Sequence, residues 1–416
     1  MIFRFQSGAR LPAALLLALL VSAIPFDPAW ASDVQIPNLL TPSGTYSVGR
    51  TFLDWSDSHR DDPVAEKPGT KREFMVISWY PADVKQSAAH APWMPERWVS
   101  SEADLLCYQR HASPDPLTIE QCQHAVREPV SYSVTNAEMA QRSSSWPILL
   151  FSPGAGVNPA FYSTFTEELA SRGYVVFAIV PTGWVTTAFP DGHIVPPSDK
   201  RSDDLGWIRG TALPLWADDL RFMLDQIEGL NRDPHSIFNH RLNLNKVGAF
   251  GHSFGGAAAL SAALHDHRIL AVVNLDGSPF GVLTNEVLRK PLMVVKHDIS
   301  FAKAAAPPDE AGKAMQARVE EELSSAYLQG MPGYRVVIAE AKHMTFCDMP
   351  ALRMWADVGR RFGVEDPTDG EKTLALVREY VDGFFDKFLL GKPSTLLDRP
   401  PGRYGIATVS KNEPLH

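Results

Sequence analysis

Apolar positions along the chain follow two successive patterns. Near the start, Tyr46, Val48 and Thr51-Phe52-Leu53 lead into a polar connection rich in Asp, Arg and Lys. Phe74-Met75-Val76-Ile77-Ser78-Trp79-Tyr80 then restores a β-rich run. These segments, 44–57 and 72–81, predict two strands paired antiparallel at a sheet edge. Residues 82–145 show no clean period and are expected to form an insertion with one or two short helices. From Pro147 the pattern changes to strand–helix alternation. The expected strands are 147–151, 174–180, 246–250, 269–275, 292–295 and 334–339. The expected helices are an amphipathic 161–172 stopped by Gly173, then 213–230, an Ala-rich 255–265 and an amphipathic 373–390. Continuous apolar strands alternating with helices predict an α/β fold, a mostly parallel central sheet with helices on both faces. Residues 181–211 read as a long, lid-like loop. The Pro-rich tail 392–416 is expected to wrap the surface or hang loose, leaving 32–391 as one domain.

The first 31 residues have the pattern of an export signal. Arg4 and Arg10 form a positive start, Leu11 to Ile24 an apolar run, and Ala29-Trp30-Ala31 a small-x-small cleavage site. The competing reading is a retained anchor. Export to the periplasm or outside the cell implies an oxidising compartment. Cys107 and Cys122 lie in the same loop-rich stretch and are expected to form a local disulfide, leaving Cys347 as a buried thiol. No Cys/His spacing reads as a zinc site. No dinucleotide fingerprint or P-loop is present, so no cofactor is expected. The net charge of −9 argues against nucleic acid as a partner but leaves contact with a lipid surface open.

The strongest chemical signal is Gly251-His252-Ser253-Phe254-Gly255-Gly256, between an expected strand and an expected helix. A sharp strand-to-helix turn leaves no room for side chains at Gly251 and Gly255, and it exposes the Ser253 hydroxyl at the sheet's carboxyl edge. This is the nucleophile elbow of the α/β-hydrolase fold. A serine hydroxyl needs a base, and the base an orienting acid. In this fold the order along the chain is Ser, acid, His. His343 follows the last expected strand, where such a sheet delivers its base, and is preferred to His297. For the acid, Asp276 and Asp298 each end a strand, and residue chemistry alone divides them evenly. A tetrahedral intermediate also needs two oxyanion donors: the N–H of Phe254, and one from Ser152-Pro153-Gly154-Ala155-Gly156, with Ala155 favoured. Trp184, Phe189 and Trp207 in the loop 181–211 are candidates to wall a substrate pocket; the alternative packs them into the body.

Together these residues resemble the platelet-activating factor acetylhydrolase family, in its plasma and isoform II branch and bacterial relatives. The resemblance runs from about residue 44 to 390. It includes Ser78-Trp79-Tyr80-Pro81-Ala82, Phe151-Ser152-Pro153-Gly154-Ala155-Gly156, the elbow, Leu275-Asp276-Gly277 and His343-x-x-Phe346-x-Asp348. It implies Asp276 as the acid, Ala155 and Phe254 as oxyanion donors, and esters with a short or oxidised acyl group, such as the sn-2 position of phospholipids. Animal members carry His where Pro153 stands, and neither 82–145 nor 181–211 has a matching counterpart. A more distant likeness, to cutinase-like and polyester-degrading hydrolases, places the acid where Asp298 stands. An acyltransferase, or a non-enzymatic envelope protein on the same scaffold, would share the motif.

Overall fold

The structure, a computed structural model, describes residues 39–85, 87–110, 117–282, 286–298, 310–339, 341–352 and 367–412. The export-type segment lies outside them. Fourteen strands occur among the described residues. They are β1 (Ser47–Asp61), β2 (Lys71–Asp83), β3 (Ser133–Thr135), β4 (Glu138–Met139), β5 (Trp146–Ser152), β6 (Val175–Val180), β7 (Thr187–Ala188), β8 (Ile194–Val195), β9 (Leu242–His252), β10 (Ile269–Leu275), β11 (Leu292–His297), β12 (Gly333–Ile338), β13 (Gly402–Tyr404) and β14 (Ala407–Asn412). All but β7 and β8 form one sheet, in the order β13-β14-β12-β11-β10-β9-β5-β6-β2-β1-β3, with β4 beside β2.

The six central strands β6, β5, β9, β10, β11 and β12 run parallel, so their carboxyl ends share one rim. Helices on both sides explain why the central stretches of these strands are mostly apolar. On β5, Leu149 and Phe151 face one core and Ile148 and Leu150 the other, the two-residue period of a pleated strand. The first core is closed by the helices Ser163–Ser171 and Pro367–Leu390, the second by Leu213–Arg232 and Phe254–His265. β1 and β2 form the expected antiparallel edge. This is the α/β-hydrolase fold.

Two expectations change, and a third gains two strands. The helix Ser163–Ser171 is not amphipathic: every residue in it is buried, its outer side covered by the insertion at Tyr132 and Ser133 and by the segment around Ser43. Its two acids are satisfied there. Glu167 accepts the N–H groups of Tyr132 and Ser133, and Glu168 accepts the N–H and hydroxyl of Ser43. The insertion forms the helices Glu96–Arg110 and Ile119–Arg127, joined by the Cys107–Cys122 disulfide, then returns to the sheet as β3 and β4. The carboxyl-terminal tail is not loose. β14 pairs antiparallel with β12 from Ala407 to Asn412, so the tail covers what would otherwise be an open strand edge. No helix among the described residues is long and apolar enough to cross a membrane.

Candidate active site

Strand β9 ends at His252 and the next helix begins at Phe254, so Ser253 occupies the turn alone, at φ 54° and ψ −125°. A non-glycine residue at positive φ costs on the order of 1–3 kcal/mol and persists only where its surroundings enforce it. Here the enforcement is close backbone packing. A Cβ on Gly251 would lie 2.3 Å from the Gly255 carbonyl, and one on Gly255 would lie 2.1 Å from the Ser152 oxygen. The second contact presses the loop 152–156 against the start of the helix. The N–H of Ser253 donates to the Leu275 carbonyl at 2.8 Å, which ties the turn to the end of β10.

The candidate acid Asp276 is built at that strand end. Asp276 also has positive φ, 56°. The Asn274 side chain fixes the turn around it, accepting the Gly277 N–H and donating to the Gly277 carbonyl, both at 2.8 Å. Asp276 Oδ2 lies 2.6 Å from His343 Nδ1, and His343 Nε2 lies 3.0 Å from Ser253 Oγ. With Nδ1 donating to the carboxylate, the lone pair of Nε2 faces the serine hydroxyl. Burial alone would raise the Asp276 pKa. The charge of His297 and hydrogen bonds from both histidines outweigh it and hold the carboxyl far below the usual carboxylate range. Asp276 therefore stays ionised.

The other candidates for base and acid fall into different places. His297 does not face Ser253. Its Nδ1 lies 2.7 Å from the same Asp276 Oδ2, and its N–H donates to Oδ1. The carboxylate on His343 Nδ1 is that of Asp276; the Asp298 N–H donates to Ile338 as β11 passes β12.

A buried polar chain lies behind the line of Asp276, His343 and Ser253. The Gly154 N–H donates to Tyr162 Oη at 2.9 Å, Tyr162 Oη lies 2.8 Å from His252 Nδ1, and His252 Nε2 lies 2.9 Å from the His343 carbonyl. The last contact requires the proton on Nε2, so Nδ1 accepts from the tyrosine. Burial, and then the neighbouring His343, push His252 down to about 3, and burial holds the Tyr162 phenol well above its usual range. Both stay neutral. Asp348 closes the far end of the His343 loop: its carboxyl accepts the Thr164 N–H and its own N–H donates to Phe161. Sequence reasoning missed this chain. His252 is a free position of the motif, Tyr162 has no local signal, and only Asn274, three residues before a glycine at a strand end, was readable as a turn-forming side chain.

Comparison with known proteins agrees with this chemistry. Residues 30–181 match the family model described as platelet-activating factor acetylhydrolase, isoform II. A protein of Arthroderma benhamiae named as a probable 1-alkyl-2-acetylglycerophosphocholine esterase is 27% identical, over 94% of this chain and 97% of its own. The platelet-activating factor acetylhydrolase of Cavia porcellus is 22% identical over 59% of this chain and 58% of its own. Among solved structures, a ferulic acid esterase from Streptomyces cinnamoneus superposes with a TM-score of 0.66 at 28% identity, covering 90% of this chain and 99% of that one. The chain is an ester hydrolase related to the platelet-activating factor acetylhydrolases.

In this esterase the loop 181–211 splits. Trp184 and Trp207 join an aromatic run that reaches the elbow: Trp207 to Trp184 at 6.3 Å, Trp184 to Trp216 at 5.3 Å, Trp216 to Phe254 at 5.0 Å and Phe254 to Phe280 at 5.6 Å between ring centres. Phe189 lies elsewhere. It stacks on His193 and lines a groove with Trp55 and Glu73 at the β1–β2 edge. Trp184 and Phe189 are both buried, each 7% exposed, so of the three only Trp207 offers substantial surface. Ala155 is exposed at the rim beside the elbow, and a Cβ on its neighbour Gly154 would come 3.5 Å from Ser253 Cβ. The Phe254 N–H opens a helix and has no intrahelical carbonyl to meet.

Proposed function

We propose that this esterase works through an acyl-enzyme, with Ser253 as nucleophile, His343 as general base and Asp276 as the orienting acid. The observation that carries this reading is the hydrogen-bonded line from Asp276 Oδ2 through His343 to Ser253 Oγ, at 2.6 and 3.0 Å. His343 Nε2 takes the hydroxyl proton as Oγ attacks the ester carbonyl. The N–H groups of Phe254 and Ala155 receive the oxyanion, and His343 returns the proton to the leaving alcohol. Water repeats the sequence on the acyl-serine. A fluorophosphonate probe tests the assignment: it labels the wild type at Ser253 and leaves Ser253→Ala unlabelled. Labelling at another serine overturns it.

For substrate, we favour short or oxidised acyl esters such as those at the sn-2 position of a phospholipid, supported by the family match and the Arthroderma relative. The ferulic acid esterase neighbour and the aromatic run at the elbow favour a second reading, an aromatic-ester substrate. Comparing kcat/KM for a 2-acetyl glycerophospholipid and for methyl ferulate separates the two. We also propose export with cleavage near Ala31. The Cys107–Cys122 bond supports it, since such bonds persist in oxidising compartments. A mature protein that begins before Ala31 overturns the cleavage.

A further inference from the structure

We propose that Asp276, His297 and His343 form a binding site for a divalent zinc-class cation, and that filling it switches the esterase off. The proposal rests on the reading of His343 as the base. One oxygen of Asp276 and one nitrogen of each histidine lie within 4.8 Å of one another. Both Nδ1 atoms converge on the same Oδ2, at 2.7 and 2.6 Å. Tetrahedral zinc holds nitrogen and oxygen ligands about 2.0–2.2 Å away, which spreads neighbouring ligand atoms to roughly 3.3 Å. Each N···O pair would then open by roughly 0.6 Å. The imidazoles can move that far: the His297 and His343 side chains are 24% and 38% exposed, whereas Asp276 is held in the body at 3%. The same exposure lets a hydrated ion in from solvent and leaves a fourth position for water.

The donor set selects the ion. Two imidazoles and one carboxylate suit zinc or copper and are poor for magnesium or calcium, which prefer all-oxygen shells. Lys296 and Lys342 are the cations whose charge His297 feels, and Lys296 is ion-paired with Glu320. The ionised Asp276 supplies the opposing charge.

Inhibition follows from the tautomer. In the free enzyme the His343 proton sits on Nδ1, and the lone pair of Nε2 accepts from Ser253. Coordination through Nδ1 uses that nitrogen's lone pair, so the ring proton leaves Nδ1 and, by exchange with solvent, is carried on Nε2. The ring then donates to Ser253 Oγ and has nothing with which to take its proton.

Two measurements test this. Titrating the Ser253→Ala chain with Zn2+ in a calorimeter reads binding without any catalysis. One ion per chain is expected, and both the Ser253→Ala/His297→Gln and Ser253→Ala/Asp276→Asn chains should bind at least tenfold more weakly, with unchanged circular dichroism. Hydrolysis of p-nitrophenyl acetate by otherwise wild-type protein should be blocked by Zn2+, restored by EDTA and unaffected by Mg2+, with His297→Gln needing at least tenfold more zinc. Equal binding or equal zinc sensitivity in the His297 variant overturns the site, and binding that leaves hydrolysis intact overturns the switch. A chain whose ester hydrolysis survives Ser253→Ala fails the reading of Ser253 as nucleophile and His343 as its base instead, and the calorimetry still decides the site.

Discussion

The catalytic rim and the insertion at 82–145 are held in shape by different means. At the rim the backbone packs on itself. Gly251, Gly255 and Gly277 each leave room that a Cβ would fill, and Ser253 and Asp276 are pressed into positive φ by those contacts. The insertion is held by apolar side chains that enter the core, Trp93, Met94, Trp98, Val99 and Leu106 among them, by a disulfide, and by groups that cost free energy to bury: the Glu102 carboxyl, the Arg50 guanidinium on the Pro92 and Trp93 carbonyls, and Glu167 on the Tyr132 and Ser133 amides. The rim is thus shaped for chemistry by short-range sterics, while the insertion is attached by apolar packing and buried polar contacts whose worth lies in stability. Changes at the rim should therefore lower turnover and leave the fold, and changes in the insertion should do the reverse.

The widest separation is expected for Ser253→Ala and His343→Ala. Each removes a member of a unit that acts together, so kcat should fall by roughly 10⁴–10⁶. Calorimetric melting should stay within a few degrees, since neither change opens a buried cavity. A residual rate within a hundredfold of wild type would remove the triad assignment. The mirror image is Cys107→Ser/Cys122→Ser. The loop between them has a sequence separation of 15, for which restraint of the unfolded chain is worth about 3 kcal/mol. Urea unfolding should show that loss while kcat/KM below the transition changes less than twofold. A large fall in kcat/KM would mean that the insertion shapes the site directly.

Glu102 sharpens the comparison through pH. Burial pushes its carboxyl up to about 7 from an ordinary 4.5. The folded chain therefore holds a proton that the unfolded chain has already lost between those values. The stability this group contributes is complete below pH 4.5 and lost as pH rises through about 7, a loss of order 3 kcal/mol at 1.36 kcal/mol per unit. Glu102→Gln has no such group. Urea midpoints at pH 5 and pH 8 should differ less for the variant than for wild type, with the variant ahead at pH 8. Equal differences would show that Glu102 is ionised in the fold.

The same contrast governs what the sequence made legible. The parallel strands announced themselves because burial on both faces leaves no polar position, as in Val175–Val180, and the elbow did so because only glycine fits at 251 and 255. The helix Ser163–Ser171 misled because its glutamates pair with amides of Tyr132 and Ser43, distant in the chain, and a periodicity argument sees only local neighbours. The tail misled for a related reason: Pro393, Pro400 and Pro401 precede β13, and what makes Ala407–Asn412 a strand is the open edge of β12, a partner in space. His297 ends β11 and Asp298 follows it, yet it is the Asp276 carboxylate, in the turn fixed by Asn274 and shared by both imidazoles, that meets His343.

The smallest effect is expected where the two regimes meet, at Tyr162, a buried polar group that serves the rim. Tyr162→Phe keeps the ring against Phe151, with centroids 4.8 Å apart, and removes only the hydroxyl. It leaves the Gly154 N–H and His252 Nδ1 without their partner, at a cost of about 1–3 kcal/mol in stability for unsatisfied buried groups. Because one partner precedes Ala155 and the other holds the His343 carbonyl, the oxyanion loop and the base loosen together, while nothing that touches the rest of the substrate changes. The loss should therefore fall on kcat, about tenfold, equivalent to about 1.4 kcal/mol of transition-state stabilisation, with KM nearly constant. A purely structural tyrosine would lower the melting temperature and leave kcat at 25 °C intact, so a full wild-type kcat from the folded variant would assign the chain to stability alone.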